Sequence, residues 1–497
     1  MTAPVVLPDD THNRALVAQV HPRDWTAPIP ADRYNLVVIG GGPAGLVAAL
    51  GAAGLGARVA LVERHLLGGD CLNWGCVPSK AVLRAAHAVG AARQAADYGI
   101  EVGSVDVDFS AVMERMRRIR SAIGPHDSAE RLQREGVDVF LGDANFSGPD
   151  TVSVGGTELR FARCCIATGA RAFVPPIPGV DEIGAMTNEQ LFTLTKRPEH
   201  LIVVGAGVIG CEMAQAFARL GSKITLVDFA PRVLPRDEPD ASALVQAQLA
   251  EDGIEMHLGV GVDHMEMEGE AKVVVLADDT RLSGDAVLVA VGRRPNLDLG
   301  LDAAGVTHTK RGVTVDDHLR TSNSRIYAAG DVIGQAQFTH AADHQARIVI
   351  RNALFMGSAR VSALVIPRVT YTHPEVAAVG LSEEEAQKNP ALTAYKVGID
   401  ETDRGRTDGE TGGYCRIWAD GKGRIHGATI VGENAGELLA PVTLAMTHGL
   451  TMGQIASTIH PYPTRSEVVF KAASAWNKTR MKPWIHRLFT WFLSWRR

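Results

Sequence analysis

The sequence contains few cysteines, few aromatic residues and no excess of basic charge, and each shortage excludes a class of protein. Six cysteines in 497 residues are too few for a secreted scaffold held by disulfides, so we expect a reducing, cytoplasmic setting. The net charge of −6, with no basic block before the C-terminus, argues against nucleic-acid binding. No run of eighteen apolar residues occurs, and residues 1–34 lack the apolar core of a secretory signal. We therefore expect neither a membrane-spanning helix nor export.

A glycine-rich turn between two apolar runs lies near the start of the chain. The run 36–39 leads into Gly40, Gly42 and Gly45, and an alanine-rich helical segment and a second run follow, ending at Glu63. This order predicts strand, turn, helix and strand, with a pyrophosphate on the helix N-terminus and a ribose hydroxyl on the acid. The segment therefore predicts a dinucleotide-binding site. Separately, the length of 497 residues predicts a globular chain of three or four domains.

The same arrangement occurs again after residue 200. The run 201–204 leads into Gly205, Gly207 and Gly210, and Asp228 ends the apolar run that follows the helical segment. In both copies the acid lies 23 positions after the first glycine. Two copies predict two dinucleotide sites in one chain.

The second acid bears on the choice of nicotinamide cofactor. A carboxylate at this strand end pairs with a free ribose 2′-hydroxyl and repels a 2′-phosphate, so Asp228 favours NADH over NADPH. Arg232 and Arg236 follow closely in the sequence and keep NADPH open as the alternative.

Two cysteines follow the first predicted site, in the segment Gly-Gly-Asp-Cys-Leu-Asn-Trp-Gly-Cys-Val-Pro-Ser-Lys at 68–80. The glycines around Cys71 and Cys76 let the backbone approach a ligand closely, and Pro78 suits the first turn of a helix. The positive end of that helix favours a thiolate. The segment predicts a dithiol that opens and closes beside a ligand, and the alternative is two small buried thiols on a loop.

This cysteine pattern resembles the redox-active disulfide of the FAD-dependent pyridine nucleotide–disulfide oxidoreductases, which include dihydrolipoamide dehydrogenase, glutathione reductase and mercuric reductase. The resemblance implies electron flow from NAD(P)H through flavin to a Cys71–Cys76 disulfide, with Cys76 facing the flavin and Cys71 facing the substrate. Lys80 and Glu212 resemble the family's ion pair near the flavin, and the alternative is two surface charges. Trp74 departs from the small or β-branched residue expected at its position.

Further segments are similar to the same family. Thr168 and Gly169 lie in a segment like the family's exit from the flavin domain, and Gly292 lies in one like the return from the nicotinamide domain. Asp331 follows a predicted strand and would hold the ribityl chain of FAD. The alternative for Asp331 is a strand that simply ends in a turn.

The resemblance implies an α/β fold with two Rossmann-like dinucleotide-binding domains, for FAD and for NAD(P), and a C-terminal α+β dimerisation domain. It implies a homodimer whose active site is shared between subunits. The expected boundaries are an N-terminal arm at 1–34, an FAD domain at 35–180 and 285–358, an NAD(P) domain at 181–284, a dimerisation domain at 359–480 and a tail at 481–497.

The first half of the chain also allows predictions of which segments are helical and which cysteines are buried. We expect a loosely ordered arm before residue 35 and helices over 81–96 and 111–135. The adjacent Cys164 and Cys165 lie in a predicted strand, where neighbouring side chains point to opposite faces. Buried core thiols are therefore favoured over a metal site there.

The segment His460-Pro461-Tyr462-Pro463-Thr464-Arg465-Ser466-Glu467 departs from the usual family pattern. Family disulfide reductases carry His-Pro-Thr-x-x-Glu here, and the histidine of the partner subunit is the acid–base. Tyr462 stands in the base position and Glu467 is retained. Tyrosine titrates near 10, so it is a poor base at pH 7. Mercuric reductase also has a tyrosine here, but this chain has no cysteine after Cys415 to match that enzyme's C-terminal cysteine pair.

The C-terminal tail alternates apolar and basic residues at helical spacing. Its apolar positions share one face of a predicted helix, and they are Trp484, Ile485, Leu488, Trp491, Phe492 and Trp495. Such a helix suits the surface of an anionic membrane, peripheral to its inner face. The alternative is a helix docked on the dimer.

Three functions remain open at this stage. The first is a mercuric reductase-like FAD enzyme whose acceptor is a thiol-bound metal, a disulfide or a quinone-like oxidant. The second is dihydrolipoamide dehydrogenase, against which Tyr462 argues. The third is a membrane-tethered redox sensor or binding protein, which the retained dithiol makes less favourable.

Overall fold

The computed structural model describes residues 4–410 and 412–497, which divide into two compact units. The first unit contains both glycine-rich turns and the cysteine segment, and it comprises residues 4–94, 101–229 and 253–364. The second unit comprises residues 95–100 and 230–252 together with the described residues from 365 to the end. The finer division of the first unit into FAD and NAD(P) domains stays a prediction.

The helices alternate with strands along the first unit and dominate the end of the second. They are α1 (Thr11–Val20), α2 (Pro43–Gly54), α3 (Gly69–Asn73), α4 (Cys76–Arg93), α5 (Phe109–Ile123), α6 (Ala129–Arg134), α7 (Asn188–Leu191), α8 (Val208–Arg219), α9 (Pro239–Glu251), α10 (Thr339–Leu354), α11 (Glu383–Gln387), α12 (Asp403–Thr407), α13 (Ala435–Thr447), α14 (Met452–Ser457), α15 (Glu467–Thr479) and α16 (Pro483–Trp495). Short 3₁₀ segments occur at Ala95–Tyr98, Gly124–Asp127, Asp331–Ile333, Val361–Ala363 and Ile399–Glu401.

The strands form separate sheets in the two units. They are β1 (Tyr34–Ile39), β2 (Val59–Glu63), β3 (Val137–Leu141), β4 (Ala144–Gly148), β5 (Thr151–Val154), β6 (Thr157–Ile166), β7 (Ala170–Ala172), β8 (His200–Val204), β9 (Lys223–Asp228), β10 (Glu255–Leu258), β11 (Val262–Glu268), β12 (Ala271–Leu276), β13 (Arg281–Gly284), β14 (Ala286–Val289), β15 (Arg293–Pro295), β16 (His308–Thr309), β17 (Gly312–Val313), β18 (Ile326–Ala328), β19 (Pro367–Thr370), β20 (Glu375–Gly380), β21 (Leu392–Gly398), β22 (Tyr414–Asp420) and β23 (Ile425–Gly432).

The first glycine-rich turn leaves the centre of a seven-stranded sheet. The strand order is β3-β2-β1-β6-β5-β4, and β18 also pairs with β6. The strands β3, β2, β1, β6 and β18 are mutually parallel, whereas β4 and β5 form an antiparallel extension of β6. Because both faces of the parallel part are covered, β2 is buried at every position.

The second glycine-rich turn leaves a smaller parallel sheet of order β10-β9-β8-β14. A three-stranded antiparallel sheet, β11-β12-β13, accompanies it. The helix α8 packs on β8 and β9, so this part repeats the strand–turn–helix–strand order of the larger sheet. The mixed α/β architecture with two dinucleotide-binding patterns is therefore confirmed.

The second unit is an antiparallel sheet covered by helices, the α+β arrangement expected for the C-terminal region. Its strand order is β19-β20-β23-β22-β21. The helix α13 packs on β20 and β23, and α15 packs on β21 and β22. The α16 helix has no buried residue. Among the described residues, no helix combines the length and apolarity needed to cross a bilayer.

Two local expectations in the first unit are wrong, and a third is confirmed. Residues 11–20, expected to belong to a loosely ordered arm, form the helix α1, which is capped by Asp10 and buries Leu16 and Val20. The helix expected over 111–135 is divided into α5 and α6, since the Gly124–Asp127 segment contains a proline that lacks a backbone donor. Cys164 and Cys165 are both fully buried core thiols, as expected.

Candidate functional site

The backbone of the first glycine-rich turn leaves no room for side chains. Gly40 has φ of 107°, and a Cβ atom there would lie 2.3 Å from the carbonyl oxygen of Ala167. A Cβ on Gly45 would lie 1.8 Å from the carbonyl oxygen of Gly40. Gly42 precedes the first residue of α2 in an extended conformation. The turn therefore brings the helix N-terminus against the strand end, where a pyrophosphate can approach the free amides.

The acid that follows the first turn is buried and accepts hydrogen bonds from the backbone. The Glu63 carboxylate accepts from the Gly41 amide at 2.6 Å and from the His65 amide at 2.7 Å. Burial raises the pKa of Glu63 above its ordinary value, and the two amides oppose that shift. This carboxylate holds the turn closed, and its predicted contact with a ribose stays a prediction.

The second turn repeats the same geometry. Gly205 has φ of 113°, and a Cβ on Gly210 would lie 1.7 Å from the Gly205 carbonyl oxygen. The Asp228 carboxylate accepts from the Ala206 amide at 2.5 Å. Among the described residues, nothing lies within 4 Å of the place a Gly207 Cβ would occupy. Both turns therefore fit the pyrophosphate of a dinucleotide, and the second leaves open space beside it.

Two short strands join the regions that carry the two turns. β7 pairs with β15, just after Gly169 and Gly292, which have φ of 65° and 137°. The Thr168 hydroxyl donates to the carbonyl of Asn296, and the Asn296 amide donates back to the Thr168 carbonyl, both at 2.8 Å. Thr168, Gly169 and Gly292, which the sequence analysis assigned to cofactor binding, therefore lie at the link between β7 and β15. The sequence analysis did not identify Asn296 as the hydrogen-bond partner of Thr168.

The two cysteines are free thiols in neighbouring helices. Cys71 lies in α3 and Cys76 is the first residue of α4. The hydrogen bond from Cys71 lowers the pKa of Cys76 to about 6, with further help from Thr339, 3.4 Å away, and from the charge of Lys80. The same hydrogen bond raises the pKa of Cys71, because that thiol holds the shared proton. Cys76 is therefore the thiolate of the pair.

The predicted ion pair is present. The Lys80 ammonium lies 2.8 Å from the Glu212 carboxylate, whose side chain is only 3% exposed. Lys80 follows Cys76 by four positions on α4, so both occupy one face of that helix. The α4 and α8 helices pack together and bring Glu212 to this face.

An arginine that sequence reasoning missed joins two acidic residues. Arg293 Nη1 lies 3.1 Å from Asp70, which directly precedes Cys71, and its Nε lies 3.6 Å from Asp331. Burial raises the pKa of Asp331, and the Arg293 charge opposes that shift. The position of Arg293 directly after Gly292 was the only signal in the sequence.

Tyr462 and Glu467 belong to the second unit. The Tyr462 side chain is 71% exposed, and its phenol donates to Asp403 at 2.7 Å. That hydrogen bond and the carboxylate charge raise the pKa of Tyr462. Glu467 begins α15 and lies 3.0 Å from Lys471. The phenol is therefore protonated at neutral pH and can donate a hydrogen bond but not remove a proton.

Two regions of the chain match described protein families. Residues 34–346 match the pyridine nucleotide-disulphide oxidoreductase family, and residues 366–473 match the dimerisation domain of the same family. A mercuric reductase of Bacillus cereus is 34% identical over 452 residues, which are 90% of this chain and 72% of that protein. The mitochondrial dihydrolipoyl dehydrogenase of Dictyostelium discoideum is 36% identical over 463 residues, 89% of this chain and 94% of that protein.

Solved structures give the same result. The HOCl-induced flavoprotein disulfide reductase RclA from Escherichia coli superposes with a TM-score of 0.79 at 28% identity, covering 89% of this chain and 99% of that one. LpdA from Mycobacterium tuberculosis superposes with a TM-score of 0.82 at 27% identity, covering 90% and 99%. Similarity of this degree to differently named enzymes does not select one acceptor among them.

Proposed function

Because the chain belongs to the pyridine nucleotide-disulphide oxidoreductase family, we propose that it uses NADH to reduce a thiol-bound soft metal ion of the Hg(II) type, or a disulfide. The chain is a flavoprotein disulfide oxidoreductase that uses FAD and a pyridine nucleotide. The observation that carries the proposal is the adjoining pair Cys71 and Cys76, with the pKa of Cys76 lowered to about 6. A thiolate at neutral pH is both the nucleophile for a disulfide and the ligand for a soft metal.

Named residues of the first unit would hold the cofactors. Bound FAD would supply two-electron transfer between the nicotinamide and the cysteine pair. The turn Gly40, Gly42 and Gly45 would receive its pyrophosphate, with Glu63 at the ribose and Asp331 at the ribityl chain. The second turn and its acid would hold the nicotinamide cofactor.

Lys80, Glu212 and Cys71 would control the negative charge of the Cys76 thiolate and the proton of the open pair. Lys80 places a positive charge one helical turn from the Cys76 sulfur and stabilises its thiolate. Glu212 balances that ammonium in a buried setting. Cys71, with its raised pKa, would carry the proton of the open pair until an acceptor takes it.

Tyr462 favours a soft metal acceptor over lipoamide. Reduction of lipoamide must deliver a proton to the thiolate that leaves as the acceptor disulfide opens, and a phenol with a raised pKa gives up its proton poorly at pH 7, whereas a histidine can supply one. Metal exchange between thiolates needs no such proton transfer. The dimerisation domain supports a homodimer, and we propose that Tyr462 and Glu467 act on the cysteine pair of the partner subunit.

One panel of turnover assays tests this proposal. NADH oxidation is measured with an Hg(II)–thiol complex, glutathione disulfide and dihydrolipoamide's oxidised form, lipoamide. We expect turnover with the Hg(II) complex to exceed that with lipoamide by about tenfold, and Tyr462→His to narrow this difference by restoring a proton donor that titrates near neutral pH. Faster turnover with lipoamide would make the chain a dihydrolipoamide dehydrogenase. An absence of turnover with every acceptor would favour the redox sensor.

We propose in addition that α16 binds the surface of an anionic membrane. Every residue of α16 is at least partly exposed, and its apolar face carries Trp484, Leu488, Trp491 and Phe492. After Glu467 the sequence contains seven lysines and arginines and no acidic residue. Exposed aromatic side chains accompanied only by positively charged residues are typical of a helix that lies in a lipid headgroup layer.

Sedimentation with liposomes tests the membrane proposal. The full chain should pellet with phosphatidylglycerol vesicles and not with phosphatidylcholine vesicles, and a chain ending at residue 480 should stay in the supernatant with both. Failure of the full chain to pellet with anionic vesicles would reject the proposal and leave docking on the dimer as the function of the helix.

A further inference from the structure

A buried arginine supports the loop between the two cysteines. Arg120, on α5, is fully buried. Its Nη1 donates to the carbonyl of Asn73 at 2.6 Å, and its guanidinium carbon lies 5.3 Å from the centre of the Trp74 ring. Asn73 and Trp74 are two of the four residues between Cys71 and Cys76. One cation therefore contacts the loop at two successive positions.

The other end of this arginine is held by the N-terminal helix. Arg120 Nη2 donates to Asn13 Oδ1 at 2.5 Å. The Asn13 side chain also donates to the Pro8 carbonyl at 2.8 Å, so the amide is fixed by both of its polar atoms. α1 itself is attached to α5 by Asp10, 2.5 Å from Arg117. Pro8, Asp10 and Asn13 lie before residue 34, where the match to the family begins, so α1 supports the arginine from outside the matched region.

The loop is also tied on its other sides. The Asn73 amide donates to the carbonyls of Leu67 and Gly69, at 3.1 and 2.8 Å. The Asn188 amide donates to the Trp74 carbonyl at 2.8 Å and to Asp70 at 3.2 Å. The backbone between the cysteines is thus fixed at its midpoint.

The guanidinium is held without a carboxylate partner. In the described part of the chain, its hydrogen bonds go to a carbonyl and an amide oxygen, and its Nε has no partner. Burial lowers the pKa of Arg120 to about 10, which leaves it charged at neutral pH. Burying a cation without a carboxylate partner is costly, so the two hydrogen bonds and the contact with the Trp74 ring face are what offset that cost.

We propose that Arg120 is a positioning residue that, with Asn13 and Trp74, fixes the loop so that the sulfurs of Cys71 and Cys76 stay within reach of each other when the pair is open. This inference rests on the proposed function, in which the pair opens and closes. Holding two thiols in place reduces the entropy lost when the ring closes, so the support favours the disulfide. The contact of the Arg120 guanidinium with the ring face of Trp74 accounts for the large aromatic residue at position 74.

The equilibrium of the pair with dithiothreitol measures this effect. The FAD-loaded dimer is equilibrated in buffers of reduced and oxidised dithiothreitol, then alkylated, and the labelled cysteines are counted by mass spectrometry. In each exchange the protein S–S bond breaks and the cyclic dithiothreitol S–S bond forms. Two electrons pass to the cysteine pair, one proton goes to Cys71, and at neutral pH the second proton is released to solvent because Cys76 stays a thiolate.

Small substitutions provide the decisive variants. Asn13→Ala should shift the equilibrium toward the dithiol by about tenfold, because a hydrogen bond to a buried charge is lost; tenfold corresponds to 29.6 mV for this couple. Trp74→Leu should shift it by about fivefold through loss of the ring face. Trp74→Phe keeps that face and should stay within about twofold of the parent. Arg118→Gln changes an exposed residue of the same helix and should leave the equilibrium unchanged.

The outcomes separate this inference from the proposed function. If the parent enzyme forms no Cys71–Cys76 disulfide in any buffer, the proposed function fails. If the parent pair cycles but Asn13→Ala and Trp74→Leu keep its equilibrium constant, the positioning role of Arg120 is overturned. Equal shifts in Trp74→Leu and Trp74→Phe would also overturn it, because only the contact with the ring face distinguishes them. A lower thermal stability with an unchanged equilibrium would show a purely structural role and contradict the inference.

Discussion

The two glycine-rich turns have the same backbone and different surroundings. In both, the third glycine touches the carbonyl of the first, and a carboxylate accepts from the amide that follows the first glycine. The first turn is covered by the cysteine segment: the Gly68 amide donates to the Gly41 carbonyl at 2.8 Å, and a Cβ on Gly69 would lie 2.6 Å from the Gly42 Cα. No described residue approaches Gly207 in this way.

This difference corresponds to two kinds of ligand. A turn that is enclosed beside the cysteines suits a cofactor that stays bound through every cycle, which is the role of FAD. A turn with open space suits a cofactor that enters and leaves, which is the role of the nicotinamide cofactor. We therefore propose that the same local sequence pattern serves two functions and that the neighbouring segment determines which cofactor each turn holds.

The largest expected effect comes from adding one methyl group to each turn. Gly45→Ala places a Cβ 1.8 Å from a backbone oxygen, so the purified protein should lack FAD colour and lose about 3 kcal/mol of unfolding free energy. Gly210→Ala should keep the colour and lose turnover with NADH. The control is Gly54→Ala on α2, where no described atom lies within 4 Å. If Gly45→Ala binds FAD normally, the first turn is not its site.

A second test concerns the thiol that adjoins the first turn. Because the pKa of Cys76 is lowered to about 6, its alkylation by iodoacetamide in the reduced enzyme should rise with pH and reach half its maximum near pH 6. An ordinary thiol would reach it about 2.5 units higher. The rate is followed by peptide mass spectrometry, with Cys71 as the internal comparison, since its pKa is raised. A profile centred above pH 8 would show that Cys76 is not the thiolate.

The smallest expected effect concerns Asp228, the acid of the second glycine-rich turn. Asp228→Ser removes the negative charge facing a 2′-phosphate, so the ratio of kcat/KM for NADPH to that for NADH should rise about tenfold, or about 1.4 kcal/mol. Asp228→Glu keeps the charge and should keep the preference for NADH. Steady-state kinetics with both cofactors decides the matter, and a parent enzyme that already prefers NADPH would reverse our choice.

Local sequence patterns predicted the turns and most of the strands and helices around them. Contacts between residues far apart in the sequence could not be predicted in this way. The glycine spacing predicted both turns because each is fixed within about 25 residues of sequence. Thr339 lies 263 positions from Cys76, and no local pattern connects them. Arg120 lies 46 positions from Trp74 in the sequence, and no local pattern indicates that its guanidinium packs against the Trp74 ring. The order of α1 was missed because it has only three large apolar residues, Leu16, Val17 and Val20, and its packing against α5 is what stabilises it.

The most direct test of the account is an anaerobic titration of the FAD-loaded enzyme with NADH, followed by alkylation and counting of the labelled cysteines. We predict that the first equivalent of NADH per subunit yields two new reactive thiols, Cys71 and Cys76, and a long-wavelength absorbance that Cys76→Ser abolishes. Reduction of the flavin with no new thiol at either position would contradict the central claim that this pair carries the electrons.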